Sequence, residues 1–199
     1  CVVTLVGSAA AAGEAIVVQT PGIDPASATS WIDHSVANTN GAQLLLYPTC
    51  LKLVNYDEDS DDPTPEAATA MPAVSGGGTT YTFTIAAGHA FSDGEAVTAA
   101  SFERAIDRAV ALSTQAQALM VDVADVSAAG SALTVTLTAP AADFVSRLAL
   151  NFFCATPSTA PAGASATPLP AAGPYYVQSA SPTEVVLVTP GDTLFDIAA

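Results

Sequence analysis

The chain has 199 residues, half of them hydrophobic and only 12% charged, a composition that buries a core and excludes disorder of the whole. Four cations, Lys52, Arg104, Arg108 and Arg147, stand against 19 acids, for a formal net charge of -15. That balance excludes nucleic acid and anionic lipid as partners, because phosphate binding needs clustered Lys and Arg, and it suits a soluble protein whose copies repel one another.

No apolar run reaches the roughly 18–20 residues of a spanning helix. Residues 1–13 open with CVVTLVGSAAAA, apolar and without a basic stretch. They read as a signal-peptide remnant ending in small residues near Ala9–Ala12, or as a lipoprotein tether in which Cys1 carries the lipid. Both readings mean export to the periplasm or the cell surface.

Glu14 to Thr20 is a short β-rich run, ended by the turn residues Pro21-Gly22-Ile23-Asp24-Pro25. Trp31, the only tryptophan, and Asp33 follow. Asn40 to Leu53 starts as a helix that Pro48 stops near Tyr47, since proline disfavours helix for the residue before it. Tyr56 to Asp62 sets acids at alternate positions, as an EF-hand loop does. Asp62 stands where that turn needs Gly, and Ala68 where the bidentate Glu belongs, so the stretch reads as a solvated acidic loop.

Gly76-Gly77-Gly78 is a hairpin turn into a strand in which Tyr81, Phe83 and Ile85 alternate with Thr82 and Thr84. Asp93-Gly94 makes a tight turn, and Thr98 is the N-cap of a helix. Phe102, Ala105, Ile106, Ala109 and Val110 fall on one side of that helix, with Glu103, Arg104, Asp107 and Arg108 on the other. Ser113 to Met120 is a short linker. Val121–Val126 and Leu133–Thr138 form a hairpin about Ala129-Gly130-Ser131. Ala142 to Leu150 is a short helix with Phe144, Val145, Leu148 and Ala149 inward. The apolar run Asn151 to Ala155, a Pro/Ala/Ser-rich loop over residues 157–172 and a strand from Glu184 complete the order.

With Cys1 lipidated or removed, Cys50 and Cys154 remain as an even pair. Bonded, they close a loop worth about 2–4 kcal/mol; the alternative is two buried free thiols. There is no CxxC, and His34 and His89 are isolated in sequence, so no metal site is expected. No nucleophile elbow, HExxH, P-loop or dinucleotide fingerprint occurs, and Asp93 and Glu95 lie in a turn without an acid/base partner. No enzyme activity and no cofactor are expected.

The stretch YTFTIAAGHAFSDGEAVTA resembles the signature of the family 5 extracellular solute-binding proteins, the peptide, oligopeptide and nickel receptors of ABC importers. Asp24-Pro25, Leu46-Tyr47, Pro65-Glu66-Ala67, Ala172-Gly173-Pro174-Tyr175 and Val185-Val186-Leu187 follow the family's order. The resemblance implies an α+β fold, a mixed β-sheet with flanking helices, forming the first lobe of a periplasmic-binding-protein-like type II receptor. That lobe covers 14–190, with an extra subdomain over 40–150, and 191–199 is a crossover toward a second lobe not supplied here. The chain is then an excised lobe, a natural short form, or half of a two-chain protein. The implied function is non-catalytic capture of a peptide or similar small solute, with ABC permease subunits as partners. Trp31, Asp33, Asn151 and Phe152 are the implied ligand neighbours. A cell-envelope interaction module is the rival reading; PGDTLFDIA resembles the opening of a LysM repeat whose second helix and strand are missing.

Overall fold

The computed structural model describes residues 2–6, 15–19, 32–37, 39–56, 61–181 and 184–189. Its strands are β1 (Val2–Val6), β2 (Ala15–Gln19), β3 (Val54–Tyr56), β4 (Pro63–Pro65), β5 (Ala73–Ser75), β6 (Thr80–Thr84), β7 (Val123–Ala129), β8 (Ala132–Leu137), β9 (Tyr176–Ala180) and β10 (Glu184–Val188). Its helices are α1 (Asn40–Leu46), α2 (Ala99–Leu112), α3 (Thr114–Leu119) and α4 (Phe144–Arg147). The fold is α+β, and every strand pairing among the described residues is antiparallel.

Two four-stranded sheets divide the work. The first has the order β1-β2-β10-β9. It joins the two ends of the chain, since Val185 of β10 pairs with Val18 of β2. Residues 2–6, inside the stretch expected as a leader remnant or tether, are its edge strand. Val185, Val186, Leu187 and Val188 are all buried. A continuous apolar run of this kind belongs to a strand covered on both faces. On one side Val185, Leu187 and Val177 meet Ala42 and Leu46 of α1.

The second sheet, ordered β5-β6-β8-β7, carries the main core. The alternation along β6 buries Tyr81 and Phe83, and β8 matches it with Leu133, Val135 and Leu137. Helix α2 lays Phe102, Ala105, Ile106 and Ala109 in the same core. Its start is fixed at Thr98, whose N–H donates to Ser101 Oγ at 3.2 Å. Tyr81 and Phe144 rings tilt against each other at 4.8 Å, and the Tyr81 hydroxyl donates to the Ala141 carbonyl at 2.9 Å. Gly76, Gly77 and Gly78 all take positive φ, 60°, 68° and 96°, which is why the β5–β6 turn needs glycine.

Three readings of the sequence change. Ser113 to Met120 is a helix rather than a linker: Ser113 Oγ accepts from the Ala116 N–H at 3.3 Å, and Gln, Ala and Leu propagate the turn. Val121, read as the start of a strand, is 80% exposed, and the strand begins at Val123. The Asn40 helix does end at Leu46, but Pro48 continues into a 3-10 turn over Tyr47–Thr49.

Truncating Phe83, fully buried between the sheet and α2, is expected to cost about 3–5 kcal/mol. Val121→Ala, at an exposed position, should stay within about 0.5 kcal/mol. Urea unfolding of both variants checks the assignment of the core.

Candidate ligand-binding site

The segment after α1 and the segment after α4 run side by side, and the chain fastens them at several points. The Ala155 N–H donates to the Leu51 carbonyl at 2.8 Å. Cys50 and Cys154 are joined by a disulfide, with their Cα atoms 5.2 Å apart. A third segment seals the junction: the N–H groups of Gly173 and Tyr175 each donate at 3.1 Å, to the carbonyls of Thr49 and Pro48. Gly173 lies so close that a Cβ there would meet the Thr49 carbonyl carbon at 2.5 Å and the Cys50 nitrogen at 2.7 Å. The glycine of the Gly-Pro-Tyr step is required by this approach, not by its φ angle.

On this junction sits a polar group of residues. Lys52 is 2% exposed, yet no carboxylate among the described residues forms an ion pair with it. Its Nζ donates to Asn151 Oδ1 at 3.3 Å and lies 4.5 Å from the centre of the Tyr47 ring. Burial lowers the Lys52 pKa, and Glu66 works against that shift. Asn151 Nδ2 donates to the Gln43 carbonyl at 3.1 Å. An amide has two donor hydrogens and two acceptor lone pairs, so half of the Asn151 side-chain capacity is unused among the described residues. Tyr47 and Leu150, 48% and 41% exposed, flank it. Asn55 Nδ2 donates to the Tyr47 hydroxyl at 3.1 Å and to Glu66 Oε1 at 3.3 Å, which steadies the ring over the ammonium.

The four ligand neighbours read from the sequence fall in different places. Trp31 lies outside the described residues. Asn151 stands on the polar group just described, half-buried. Phe152 is buried in the main core, its ring 6.3 Å from that of Phe153. Asp33 is 1% exposed and fully engaged inside the protein. Its Oδ1 accepts from Arg108 Nη1 at 2.7 Å and the Ser35 N–H at 3.1 Å. Its Oδ2 accepts from Arg108 Nη2 at 2.6 Å and the Ser165 N–H at 2.7 Å.

Arg108, read as lying on the outer side of its helix, is instead only 6% exposed. The other donors of its guanidinium go to Ser35 Oγ, the Gly163 carbonyl and the Pro161 carbonyl, at 2.6, 2.8 and 2.9 Å. All five N–H groups are therefore used. The Asp33 carboxyl pays for burial, which raises its pKa, but the hydrogen bonds from Arg108 and Ser165 and the charge of Arg108 bring it below its ordinary value. Lys52, Tyr47 and Arg108 were missed as site or framework residues. Only the rarity of cations marked Lys52 and Arg108, and Tyr47 was marked only as part of the Leu46-Tyr47 step, not as a ligand neighbour.

His34, isolated in sequence, also reaches the junction. Its Nε2 lies 3.0 Å from Thr49 Oγ1 and its Nδ1 3.2 Å from Cys154 Sγ. Burial drives the ring pKa down to about 4; Lys52 adds to the fall, while Asp33 and the Asn151 carbonyl oppose it.

Two pH windows follow. An unfolded histidine binds a proton between pH 6.5 and about 4 that the folded ring refuses, so stability falls as pH drops through that window. His34→Gln should flatten this part of a urea-midpoint profile. Asp33 acts lower: its stabilisation is present above pH 3.8 and is lost as pH falls through its depressed folded pKa. Asp33→Asn should cost about 3–5 kcal/mol at neutral pH and remove the steepest part of the profile below pH 3.8.

Known proteins of the same architecture can now be placed beside this one. No curated protein matches the sequence. A nickel ABC transporter protein from Bacillus halodurans superposes with a TM-score of 0.60 at 20% identity, over 84% of this chain and 33% of its own. The ABC transporter-associated periplasmic binding protein DppA from Helicobacter pylori, in complex with the peptide STSA, gives 0.65 at 17% identity, over 81% and 37%. Listeria monocytogenes OppA bound to peptide gives 0.65 at 20% identity, over 82% and 36%. The chain thus spans about a third of the length of these proteins. The fold is that of the periplasmic-binding-protein type II receptors. The sequence itself matches the family of bacterial extracellular solute-binding proteins, family 5, over residues 62–192, more than half of the chain. This chain belongs to that family.

Proposed function

We propose that the chain is a non-catalytic, extracytoplasmic solute-binding component of an ABC importer, and that it captures a peptide or similar small solute. The observation that carries this reading is the family match over residues 62–192, on a fold shared with peptide-bound receptors. Permease subunits are the partners this role requires. Residues 14–190 act as the first lobe, 40–150 as its extra subdomain and 191–199 as the crossover. Export to the periplasm or cell surface goes with the role, Cys1 is the candidate lipid-bearing residue, and an oxidised Cys50–Cys154 pair fits such a compartment. No helix among the described residues is long and apolar enough to cross a membrane.

Asn151 is the polar contact, with Lys52 behind it and Tyr47 beside it. Trp31 is the candidate apolar contact, Phe152 packs in the core next to Asn151 in the chain, and Asp33 acts through Arg108 by holding the framework. A peptide carbonyl or carboxylate facing the free Asn151 N–H gains the field of a buried ammonium that has no ion-pair partner among the described residues. Enclosed sites bury roughly 70–90% of a small ligand. A site formed by this chain alone covers less, so weak affinity is expected.

A mixed pool of short peptides, read by native mass spectrometry and thermal shift, tests the reading. Retention of a peptide with a rise in Tm is expected. Asn151→Ala should weaken that binding about tenfold, the worth of one hydrogen bond near 1.4 kcal/mol. If nothing is retained and Tm does not move, the chain does not capture peptides.

A further inference from the structure

The junction holds a second constellation that ligand capture does not use. His34, Cys50 and Cys154 offer one nitrogen and two sulfurs, all within 4.8 Å of one another. Cys50 and Cys154 are 3% and 2% exposed. Cys154 lies 104 positions beyond Cys50, so no short spacing motif announces the three.

The orientation of the imidazole is set by what surrounds it. The Thr49 hydroxyl gives its one proton to the Leu46 carbonyl at 2.8 Å, so toward Nε2 it acts as acceptor. Nε2 therefore carries the ring proton, and the Nδ1 lone pair faces Cys154 Sγ at 3.2 Å. A ligating histidine is held in this way, with one nitrogen free for the metal and the other donating to an outer partner. The depressed pKa keeps the ring neutral, so no proton competes for Nδ1 at ordinary pH.

We propose that His34, Cys50 and Cys154 form a redox-gated site for a thiophilic divalent cation of the zinc class. It is closed while the cysteines are bonded and opened by a dithiol reductant. The reductant delivers two electrons and two protons: the S–S bond breaks, two thiols form, and the reductant leaves as its own disulfide. On reduction Cys154 finds an acceptor for its proton in the Asn151 carbonyl, 2.9 Å from its sulfur. Metal entry then releases both thiol protons to solvent. Two thiolates and a neutral imidazole balance a divalent charge, which favours the complex where charge is buried and Lys52 is near. A solvent ligand completes the four-coordinate shell usual for such sites. Reoxidation by a disulfide oxidant takes the two electrons back and expels the ion.

The test is a Co²⁺ titration of the purified full chain, anaerobic, with and without prior reduction by dithiothreitol and its removal. Reduced protein should bind one equivalent, with a near-ultraviolet thiolate-to-cobalt band that Zn²⁺ abolishes, and oxidised protein should show none. Thr49→Val, which removes the outer partner of the imidazole, should weaken cobalt binding by about tenfold or more while the chain stays folded by circular dichroism. His34→Gln should weaken it further. Absence of the band in reduced protein overturns the proposal, as does loss of folded structure on reduction before cobalt is added. Equal cobalt affinity of His34→Gln and the parent overturns it too.

Discussion

A buried charge pair holds this fold in its working shape. Arg108 projects from the middle of α2 into a space closed by residues 33–35 on one side and 161–165 on the other. Two opposite charges taken from water lose several kcal/mol of hydration each, and their attraction offsets that only when every remaining donor and acceptor is matched. Here the matching is complete on the guanidinium, and both carboxylate oxygens accept twice. The loop of residues 157–172 has no regular secondary structure, so these bonds substitute for a ladder or a helix in fixing its backbone. Directional bonds also set one geometry, where apolar contacts alone would accept several.

The scarcity of positive charge makes that commitment more telling. Arg147 is held by Asp122 and Asp143, and Arg104 donates to the Thr156 carbonyl at 2.9 Å. Arg108 is fully spent. Among the described residues Lys52 alone of the four cations has an aromatic face as its cover, and its ammonium donates to the neutral Asn151 amide oxygen rather than to a carboxylate. An acidic protein that buries its one lysine with no ion-pair partner among the described residues retains a local positive potential inside a negative exterior. In the proposed role, that contrast is what would orient a ligand by its anionic end.

Strand β6, helix α2 and the β7–β8 hairpin were legible because each follows a single period: alternation for the strands, 3.6 residues for the helix. Turn glycines and the Thr98 cap sharpened their edges. Arg108 escaped the same logic, since a helical wheel puts it with Glu103 and Asp107, and only tertiary partners at 33, 35, 161 and 163 turn that position inward. The α3 turn was lost because six residues are too few to display a period. The polar group around Lys52 was invisible for another reason. Lys52 and Asn151 are 99 positions apart, and no local pattern relates them. The pairing of Cys50 with Cys154 was one of two open readings, decided by geometry that only the folded chain has. His34 was isolated on the line and close in space.

The bond between Cys50 and Cys154 spans 104 positions and encloses the entire β5-β6-β8-β7 sheet, α2, α3 and α4. In topological terms the main core is a macrocycle, and the first sheet is built from the two arms that leave it. A single break in the backbone anywhere on the ring therefore leaves one covalent molecule, whereas a break in either arm releases a piece. The hydrophobic core thus stays within one covalent unit after a single protease cut in the loops around it.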